Sequence, residues 1–344
     1  MKKDLPLPNE GYLPFYRLPQ DALRWEVLRT AMELGIFDHI TSPVTSREVA
    51  AKTGLHEKNT EHFLNALTAL GCLSKNQGLF KNSPLADHFF MPDKDTFISP
   101  SLLFMSSWST ALLQGGLKKL LQEGPQHSPD MTDPAIWAKG AQASLNYTRC
   151  NRAQKIADLV ESLPEFPSFS RILDLGSGPG IIGIAVTARH PSTECVLFDR
   201  SDICAVAQQV VEEYGMEKRV KTLAGDFTKD SLQGPYDHIM ANFSLGMRRE
   251  ELQHIMNRIH EALAPGGVLV ITTTELSPDR TTHPPGVFGW LAIFLQGMDM
   301  VVEEGAFQQH ALQAGFVSVQ SRLLENMEEE IHGPVTFIEA RKGL

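Results

Sequence analysis

The stretch Arg171-Ile-Leu-Asp-Leu-Gly-Ser-Gly-Pro-Gly-Ile-Ile-Gly183 decides the fold. In it a short apolar strand runs into closely spaced glycines, and a helix-like segment from Ile181 to Ala188 follows at once. Such a turn leaves backbone N–H groups facing outward, where a ligand can approach without meeting a Cβ atom. The next predicted strand, Glu194–Asp199, ends in an acid where a doubly wound sheet presents a carboxylate to a ribose diol. We therefore predict an α/β sheet that binds a nucleoside-type ligand.

Two ligand patterns overlap in this stretch. Gly178-Pro-Gly-Ile-Ile-Gly183 also fits the dinucleotide fingerprint G-x-G-x-x-G. However, Gly176 directly follows the strand, and Asp174 lies at the end of that strand. A carboxylate there repels a diphosphate but attracts the ammonium group of an amino-acid moiety. The acid thus argues against NAD and favours a nucleoside that carries an amino acid.

Two downstream segments, Ala224-Gly-Asp226-Phe227 and Glu261-Ala-Leu-Ala-Pro-Gly-Gly267-Val-Leu-Val-Ile271, add a family resemblance. With them, this part of the chain resembles the class I S-adenosylmethionine-dependent methyltransferases. The resemblance implies that the glycine loop holds the methionine end, that the acid closing the second strand takes the ribose, and that the Asp-Phe pair borders the adenine. The expected cofactor is S-adenosylmethionine (SAM), and no metal is expected. The implied cofactor-binding residues are Asp174, Gly176, Gly178, Gly180, Asp199, Arg200, Asp226, Phe227 and Asn242.

The N-terminal part predicts a winged helix-turn-helix. Residues 1–19 are rich in proline and predict an arm, and residues 20–40 have helical apolar spacing. The segment 45–54 predicts a capped helix that ends at a glycine, and a second helix is expected over 58–70. Residues 72–81 then form two short strands with a glycine near the tip. We place this mostly helical domain at residues 20–97.

The function of the winged-helix domain has two interpretations. DNA binding is disfavoured, because the segment that would be the recognition helix carries Glu57, Lys58, Glu61 and His62 and offers no positive face to phosphate. The alternative is dimerisation. A family resemblance supports this alternative. The N-terminal domain of the small-molecule O-methyltransferases, of the plant caffeate, bacterial polyketide and acetylserotonin types, is similar to the segment Ala31-Met-Glu-Leu-Gly-Ile-Phe-Asp38 and to the later segments of this domain. The resemblance covers about residues 20–340 and implies a homodimer.

Composition agrees with an ordinary globular enzyme. The 344 residues are 42% apolar and carry a formal net charge of −10, which argues against nucleic acid as a general partner. The four cysteines are scattered without metal-ligand spacing. The N-terminus lacks the apolar core of a signal peptide, and no apolar run approaches the length of a membrane span. We expect a soluble, cytoplasmic protein that does not bind membranes.

The remaining chain predicts a helical linker at residues 98–162 and the SAM-binding domain at 163–344. A small-molecule acceptor is expected between aromatic side chains of these two segments, although an ordinary core role is the alternative for each of them. The candidate acceptor-pocket residues are Phe104, Met105, Trp108, Tyr147, Phe243, Met247, Phe288 and Trp290.

One position departs from the family pattern. The O-methyltransferases resembled here carry a histidine after the fourth strand, and that histidine deprotonates the acceptor hydroxyl. Counting on from Asp237, this chain has Gly246 in the place of the histidine and Met247 in the place of the following aspartate. A general base contributes roughly 10²–10⁴-fold to the methylation of a phenol, so its loss bears directly on the choice of acceptor.

Three explanations of the missing histidine remain open. The acceptor needs no base, as with a thiolate, an activated carbon or a pre-ionised acid, so that proximity supplies most of the rate. Alternatively, Tyr147, His283 or Glu275 provides the base. In the third case the protein binds SAM without methylating, or acts as a winged-helix regulator. The pair Arg248-Arg249 is in addition a candidate partner for an acidic acceptor.

Overall fold

The computed structural model describes residues 11–110, 112–113, 115–125, 133–324, 327 and 333–344. These residues divide into two compact units after Leu103, a little beyond the boundary predicted at residue 97. Most of the polar segment at residues 124–134, within the predicted linker, lies outside the described residues.

The N-terminal unit is a winged helix. Its helices are α1 (Leu13–Glu33), α2 (Ser46–Thr53), α3 (Glu57–Ala69) and α4 (Pro84–Phe89), and its wing pairs β1 (Leu73–Asn76) with β2 (Leu79–Asn82). The side chain of Thr45 accepts from the backbone of Glu48 and the Glu48 side chain accepts from the backbone of Thr45, which caps α2 as the sequence predicts. The apolar faces of these elements share one core that includes Phe37, Leu64 and Phe80.

Helix α1 begins earlier than expected. Residues 13–19, which their prolines assigned to an arm, are helical. Pro14 lies in the first helical turn, where a missing backbone N–H costs nothing, because the first N–H groups of a helix have no intrahelical partner. Apolar side chains of this turn are exposed, with Phe15 at 75% and Tyr16 at 72%. The proline signal was thus misread as the absence of a helix.

Helices lead from the first unit to the sheet. They are α5 (Ser99–Thr110), within which the two units divide, then α6 (Gly116–Glu123), α7 (Pro134–Tyr147) and α8 (Ala153–Glu161). Between α7 and α8 the chain leaves helical geometry at Cys150 and Asn151, and Asn151 has a positive φ of 84°. This break places the side chain of Arg152 at the start of α8, beside the sheet.

The second unit is built on a mostly parallel sheet. Its strands are β3 (Arg171–Leu175), β4 (Glu194–Asp199), β5 (Val220–Ala224), β6 (Tyr236–Asn242), β7 (Leu263–Leu276), β8 (Val302–Glu303), β9 (Ser318–Leu324) and β10 (Val335–Arg341). The strand order is β5-β4-β3-β6-β7-β10-β9, and β8 pairs with β7. Strand β10 runs antiparallel to β7 and β9, whereas β3 to β7 are parallel. The α/β class and the preceding winged helix are confirmed.

Helices cover both faces of this sheet. They are α9 (Ile181–Arg189), α10 (Ser201–Glu213), α11 (Leu252–Ala262), α12 (Pro284–Leu295) and α13 (Ala306–Gln313). One apolar cluster contains residues of α8, α9 and α10, and the other contains residues of α11 and α13. Because the chain moves outward in opposite directions from β3 and β6, a crevice opens between the carboxyl ends of these two strands.

Candidate functional site

The glycine loop that follows β3 is held against the loop that follows β6. Gly176 has a φ of +70°, and a Cβ atom built on it would lie 2.3 Å from Cβ of Ser244. The Ser244 hydroxyl donates to the carbonyl of Leu175 at 2.7 Å. Only glycine satisfies both the backbone conformation and the close approach, so the two loops are in direct contact along one edge of the crevice.

Asp199, the acid predicted for the ribose, also organises the glycine loop. Its Oδ2 accepts from the backbone N–H of Gly178 at 2.8 Å, and its Oδ1 accepts from the backbone N–H of Arg200 at 2.8 Å. Burial raises the pKa of Asp199 to about 6, although both N–H groups favour its charged form. Space is open where a side chain would stand on Gly178. The carboxylate therefore lies beside an open approach to the loop.

Asp174 lies at the bottom of the crevice. Its Oδ2 accepts from the backbone N–H of Gly183 at 3.0 Å, and the residue is 1% exposed. Burial raises the pKa of Asp174 to about 7, and the neighbouring Asp199 adds to the rise. The N–H of Gly183 and the side chain of Asn242 oppose it. A carboxyl with this pKa is poised to ionise when a cation binds.

Three buried polar atoms around this point make no hydrogen bond of ordinary geometry within the described part of the chain. They are Asp174 Oδ1, Ser177 Oγ and Asn242 Nδ2. An unsatisfied buried polar group costs about 1–3 kcal/mol, so such a group of atoms indicates a place for a polar ligand. A carboxylate, a hydroxyl and an amide N–H suit the ammonium and carboxylate groups of an amino acid. These residues fit the methionine end of SAM.

Cofactor binding is expected to weaken as the pH falls below about 7. The charged form of Asp174 attracts an ammonium group, but below its pKa this carboxyl must first lose a proton. Affinity should therefore be highest above pH 7, decrease through the range of pH 7 to 6, and fall further as Asp199 also protonates. Calorimetric titration with S-adenosylhomocysteine from pH 5.5 to 8.5 measures this.

The matched control for this titration is Asp174→Asn. It should bind the ligand more weakly at pH 8 and lose most of the dependence above pH 6, because the amide does not titrate. A wild-type affinity that stays constant over the whole range would contradict the assignment of Asp174.

The predicted adenine border follows β5. The backbone N–H of Gly225 donates to the carbonyl of Asp199 at 2.9 Å, which joins this loop to the ribose acid. The Asp226 carboxylate accepts from the backbone and the hydroxyl of Thr228 and forms an ion pair with Arg248 at 3.6 Å. Phe227 is half-buried and packs against the apolar cluster that contains residues of α11 and α13. Asp226 thus meets the same crevice, and one of its oxygens already has a cationic partner.

An aromatic and cationic cluster lies on the β6 side of the crevice. The guanidinium of Arg152 lies 3.8 Å from the ring centroid of Phe243 and 5.2 Å from that of Tyr147. Phe243 precedes Ser244 and has a positive φ of 54°. The structure therefore brings together two predicted pocket residues around a cation that sequence reasoning did not select. In the sequence, Arg152 stands out only as a charged residue within an amphipathic segment, which does not indicate a binding role.

Other predicted pocket residues form a second group. The rings of Phe104 and Trp108 meet edge to face at 6.1 Å, and the carbonyl of Trp108 accepts from Nε2 of Gln296 at 3.4 Å. The end of α5 therefore contacts the end of α12. Met105 and Trp290 are half-buried on these same two helices.

Two further pocket candidates are exposed, and Arg200 faces an aromatic ring. Phe288 is 73% exposed and Met247 41% exposed. Their place in a pocket stays a prediction. Arg200, predicted at the cofactor, has its guanidinium 5.9 Å from the ring centroid of Trp137.

Gly246 is packed against a backbone rather than facing open space. A Cβ atom on Gly246 would lie 2.6 Å from the carbonyl oxygen of Met300. Carbon and oxygen do not approach so closely without displacement of the chain, and a backbone carbonyl cannot rotate away as a side chain can. A side chain at position 246 would thus be directed at the segment 299–301. This segment takes the space that a histidine would need.

The same segment carries a charged connection between loops. The carboxylate of Asp299 pairs with Arg249 at 2.7 Å and with Arg280 at 2.8 Å. These arginines follow β6 and β7 respectively, so Asp299 ties three loops together. Arg248 pairs with Asp226 and with Glu251. Both members of the arginine pair considered for an acidic acceptor therefore have protein carboxylates as partners.

The three candidate bases lie in different surroundings. Glu275 is 6% exposed, its pKa is raised by burial, and it accepts from the backbone N–H of Gly305 at the start of α13. This contact gives Glu275 a role in holding the start of α13 against β7. His283 is exposed at the start of α12 with a positive φ of 61°, and Tyr147 lies beside Arg152.

The histidines nearest in sequence to Gly246 are engaged elsewhere. His238 is fully buried, its ring stacks on Phe169, its Nδ1 is 3.0 Å from the carbonyl of Val268, and burial lowers its pKa to about 4. His254 has its Nε2 2.7 Å from the carbonyl of Thr228. Both rings are thus occupied by contacts within the fold.

The sheet order, the glycine loop and the two acids define a nucleoside-binding α/β domain. Comparison with known proteins specifies it further. The sequence profile of the O-methyltransferase domain matches residues 140–317, and that of the O-methyltransferase dimerisation domain matches residues 17–92. The chain therefore belongs to the O-methyltransferase family. It is a SAM-dependent methyltransferase, and the predicted family, enzyme class and cofactor are confirmed.

Relatives and solved structures agree with this assignment. The chain is 26% identical over 271 residues to N,N-dimethyltransferase OxyT of Streptomyces rimosus, covering 75% of this chain and 76% of OxyT. It is 25% identical over 316 residues to acetylserotonin O-methyltransferase of Mus musculus, covering 86% and 81% of the two chains. The fold matches human N-acetylserotonin methyltransferase in complex with SAM with a TM-score of 0.79, at 20% identity and over 98% and 99% of the two chains. Within the described residues, no helix is long and apolar enough to cross a membrane.

Proposed function

We propose that this protein transfers the methyl group of SAM to a small, partly apolar acceptor whose reacting atom is already nucleophilic near neutral pH. The observation that carries the proposal is the packing of Gly246 against the Met300 carbonyl. That contact leaves no room for a basic side chain at the position where the family places its histidine. A phenol with a pKa near 10 is a poor nucleophile without such a base.

The residues of the chain act by binding and positioning. When bound, SAM supplies an electrophilic methyl group on a sulfonium. Asp174 is suited to hold the ammonium group, Asp199 the ribose hydroxyls, and Arg152 the carboxylate, because its guanidinium lies on Phe243 beside the glycine loop. Fixing both reactants in one geometry contributes most of the rate when no proton has to be removed beforehand.

The acceptor class follows from this chemistry. A neutral aromatic amine, a thiolate or an ionised carbon or oxygen acid presents a lone pair without help from the protein. The similarity to OxyT, which is named as an N,N-dimethyltransferase, supports a nitrogen acceptor within this family. The aromatic residues Phe104, Trp108 and Phe243 favour an acceptor with an apolar ring.

The test compares acceptors and pH profiles at saturating SAM. Aromatic amines, thiols and carbon acids are expected to be methylated faster than phenols of pKa near 10. The kcat/KM for such an acceptor should show no acid limb near pH 6.5, where a histidine base would be protonated. Saturation matters, because Asp174 and Asp199 give cofactor binding its own acid limb. An acid limb that persists at saturating SAM and disappears in His283→Ala would assign the base to His283 and make a hydroxyl acceptor the better proposal.

We also propose that the winged helix forms a homodimer and does not bind DNA. Its family match is a dimerisation domain, and glutamates of α3 pair with nearby cations, Glu57 with Arg47 at 2.9 Å and Glu61 with Lys75 at 3.5 Å. Sedimentation should give twice the mass of one chain, and binding to duplex DNA should be absent at 50 mM salt. A DNA affinity that falls steeply with salt would instead favour a regulator.

A further inference from the structure

Thr272 makes a buried contact with Asn242, one of the predicted cofactor-binding residues. It lies on β7, is 0% exposed, and pairs in register with Asn242 at the end of β6. Its hydroxyl donates to Oδ1 of Asn242 at 2.6 Å. Asn242 is the only side chain to which the described structure gives this hydroxyl a hydrogen bond.

In this hydrogen bond the Thr272 hydroxyl is the donor, so the oxygen end of the Asn242 amide faces Thr272. With Oδ1 held by Thr272, the Nδ2 end is directed toward Asp174. The side chain of Asn242 favours the charged form of that carboxyl, as an N–H donor does. Nδ2 is buried, faces Asp174, and makes no hydrogen bond of ordinary geometry within the described residues.

We propose that Thr272 is a positioning residue, whose hydroxyl holds the Asn242 amide with its N–H groups toward Asp174 and the amino-acid end of the cofactor. The proposal requires that SAM binds at this site, and it does not depend on the identity of the methyl acceptor. Without the hydroxyl, Oδ1 of Asn242 loses its donor and the amide can rotate. Its oxygen then turns toward the Asp174 carboxylate, which disfavours the charged form of that carboxyl.

Other groups around Asp174 stay unchanged by this rotation. Asp174 faces the carboxyl of Asp199 and the thiol of Cys195 on β4, and the N–H of Gly183 on α9. Burial raises the pKa of Cys195, so this thiol stays neutral at the pH of the experiment. A change in the titration of cofactor binding on removal of the Thr272 hydroxyl therefore reports on Asn242.

The experiment measures S-adenosylhomocysteine affinity by calorimetry from pH 5.5 to 8.5 for wild type, Thr272→Val and Thr272→Ser. Thr272→Val keeps the shape of the side chain and removes the hydroxyl. It should weaken binding at pH 8 about tenfold, the equivalent of one hydrogen bond to a charged ligand. The pH at which affinity is half lost should also move upward. Thr272→Ser, which keeps the hydroxyl, should restore both quantities to near the wild-type values.

Thr273→Val is the matched control, because Thr273 is the next residue of β7 and its hydroxyl donates to the carbonyl of Thr274. It should leave the midpoint of the titration where wild type has it. If Thr272→Val does not fold, Thr272→Ala removes the same hydroxyl without adding bulk and must show the same upward movement. An unchanged midpoint without the hydroxyl, or the same movement in Thr273→Val, would overturn the proposal.

Discussion

Asp199→Ala is expected to weaken SAM binding by ten- to hundredfold, roughly 1.5–3 kcal/mol. Two losses add to this effect. The cofactor loses a charged acceptor for its ribose hydroxyls, and the glycine loop loses the bond from the backbone N–H of Gly178 to the Asp199 carboxylate at 2.8 Å. Calorimetry at pH 8, where Asp199 is ionised in the wild type, measures the change.

The control for this substitution is Asp199→Asn. Its amide oxygen can still accept from Gly178, but the negative charge is gone, so the variant should lie between wild type and Asp199→Ala. An affinity in Asp199→Ala equal to that of wild type, or tight binding of NAD to the wild type, would contradict the cofactor assignment.

Gly246→His is expected to lower turnover of the natural acceptor rather than to restore a lost base. The new Cβ atom would lie 2.6 Å from the Met300 carbonyl, so the segment 299–301 must move before the imidazole can be accommodated. Overpacking of this kind costs about 1–3 kcal/mol of folding free energy. Turnover measured at saturating SAM, together with thermal unfolding, gives both effects.

Gly246→Ala separates the two consequences of that substitution. It introduces the Cβ clash without an imidazole, so it should reproduce the loss of stability and much of the loss of turnover. If Gly246→His instead methylated phenols faster than wild type, with a new acid limb near pH 6.5, position 246 would be a true base position. The proposed acceptor class would then be wrong.

The sequence predicts the bounds of an element well where a local residue pattern marks both of its ends. Strand β4 was expected at its observed bounds, Glu194–Asp199, because an apolar run there ends in an acid. Strand β7 contains the apolar run Val268-Leu-Val-Ile271 but continues to Leu276, since β8 and β10 pair with residues beyond that run. Pairing with distant strands is invisible to a local pattern.

At the candidate site, too, features with a local pattern were predicted and contacts between distant segments were not. The glycines and acids of the cofactor loop were predicted, because a nucleoside ligand demands those residue types at that spacing. Arg152 was not, since only the break at Cys150 and Asn151 turns it toward Phe243. The departure from the family pattern at Gly246 was predicted from the sequence and stays a prediction, whereas the contact of Gly246 with the Met300 carbonyl comes from a segment more than fifty residues away.

The connection made by Asp299 has a consequence for how such enzymes diverge and how they can be engineered. Three loops are in contact at this point. They carry Gly246 with Arg249, Arg280, and the segment 299–301, so a change in any one of them strains the others. Among homologues these positions should vary together, with a bulkier residue at 246 accompanied by a different path for the segment at 299–301. A chimaera that imports the acceptor loop of a relative should therefore be built by exchanging all three loops as one cassette.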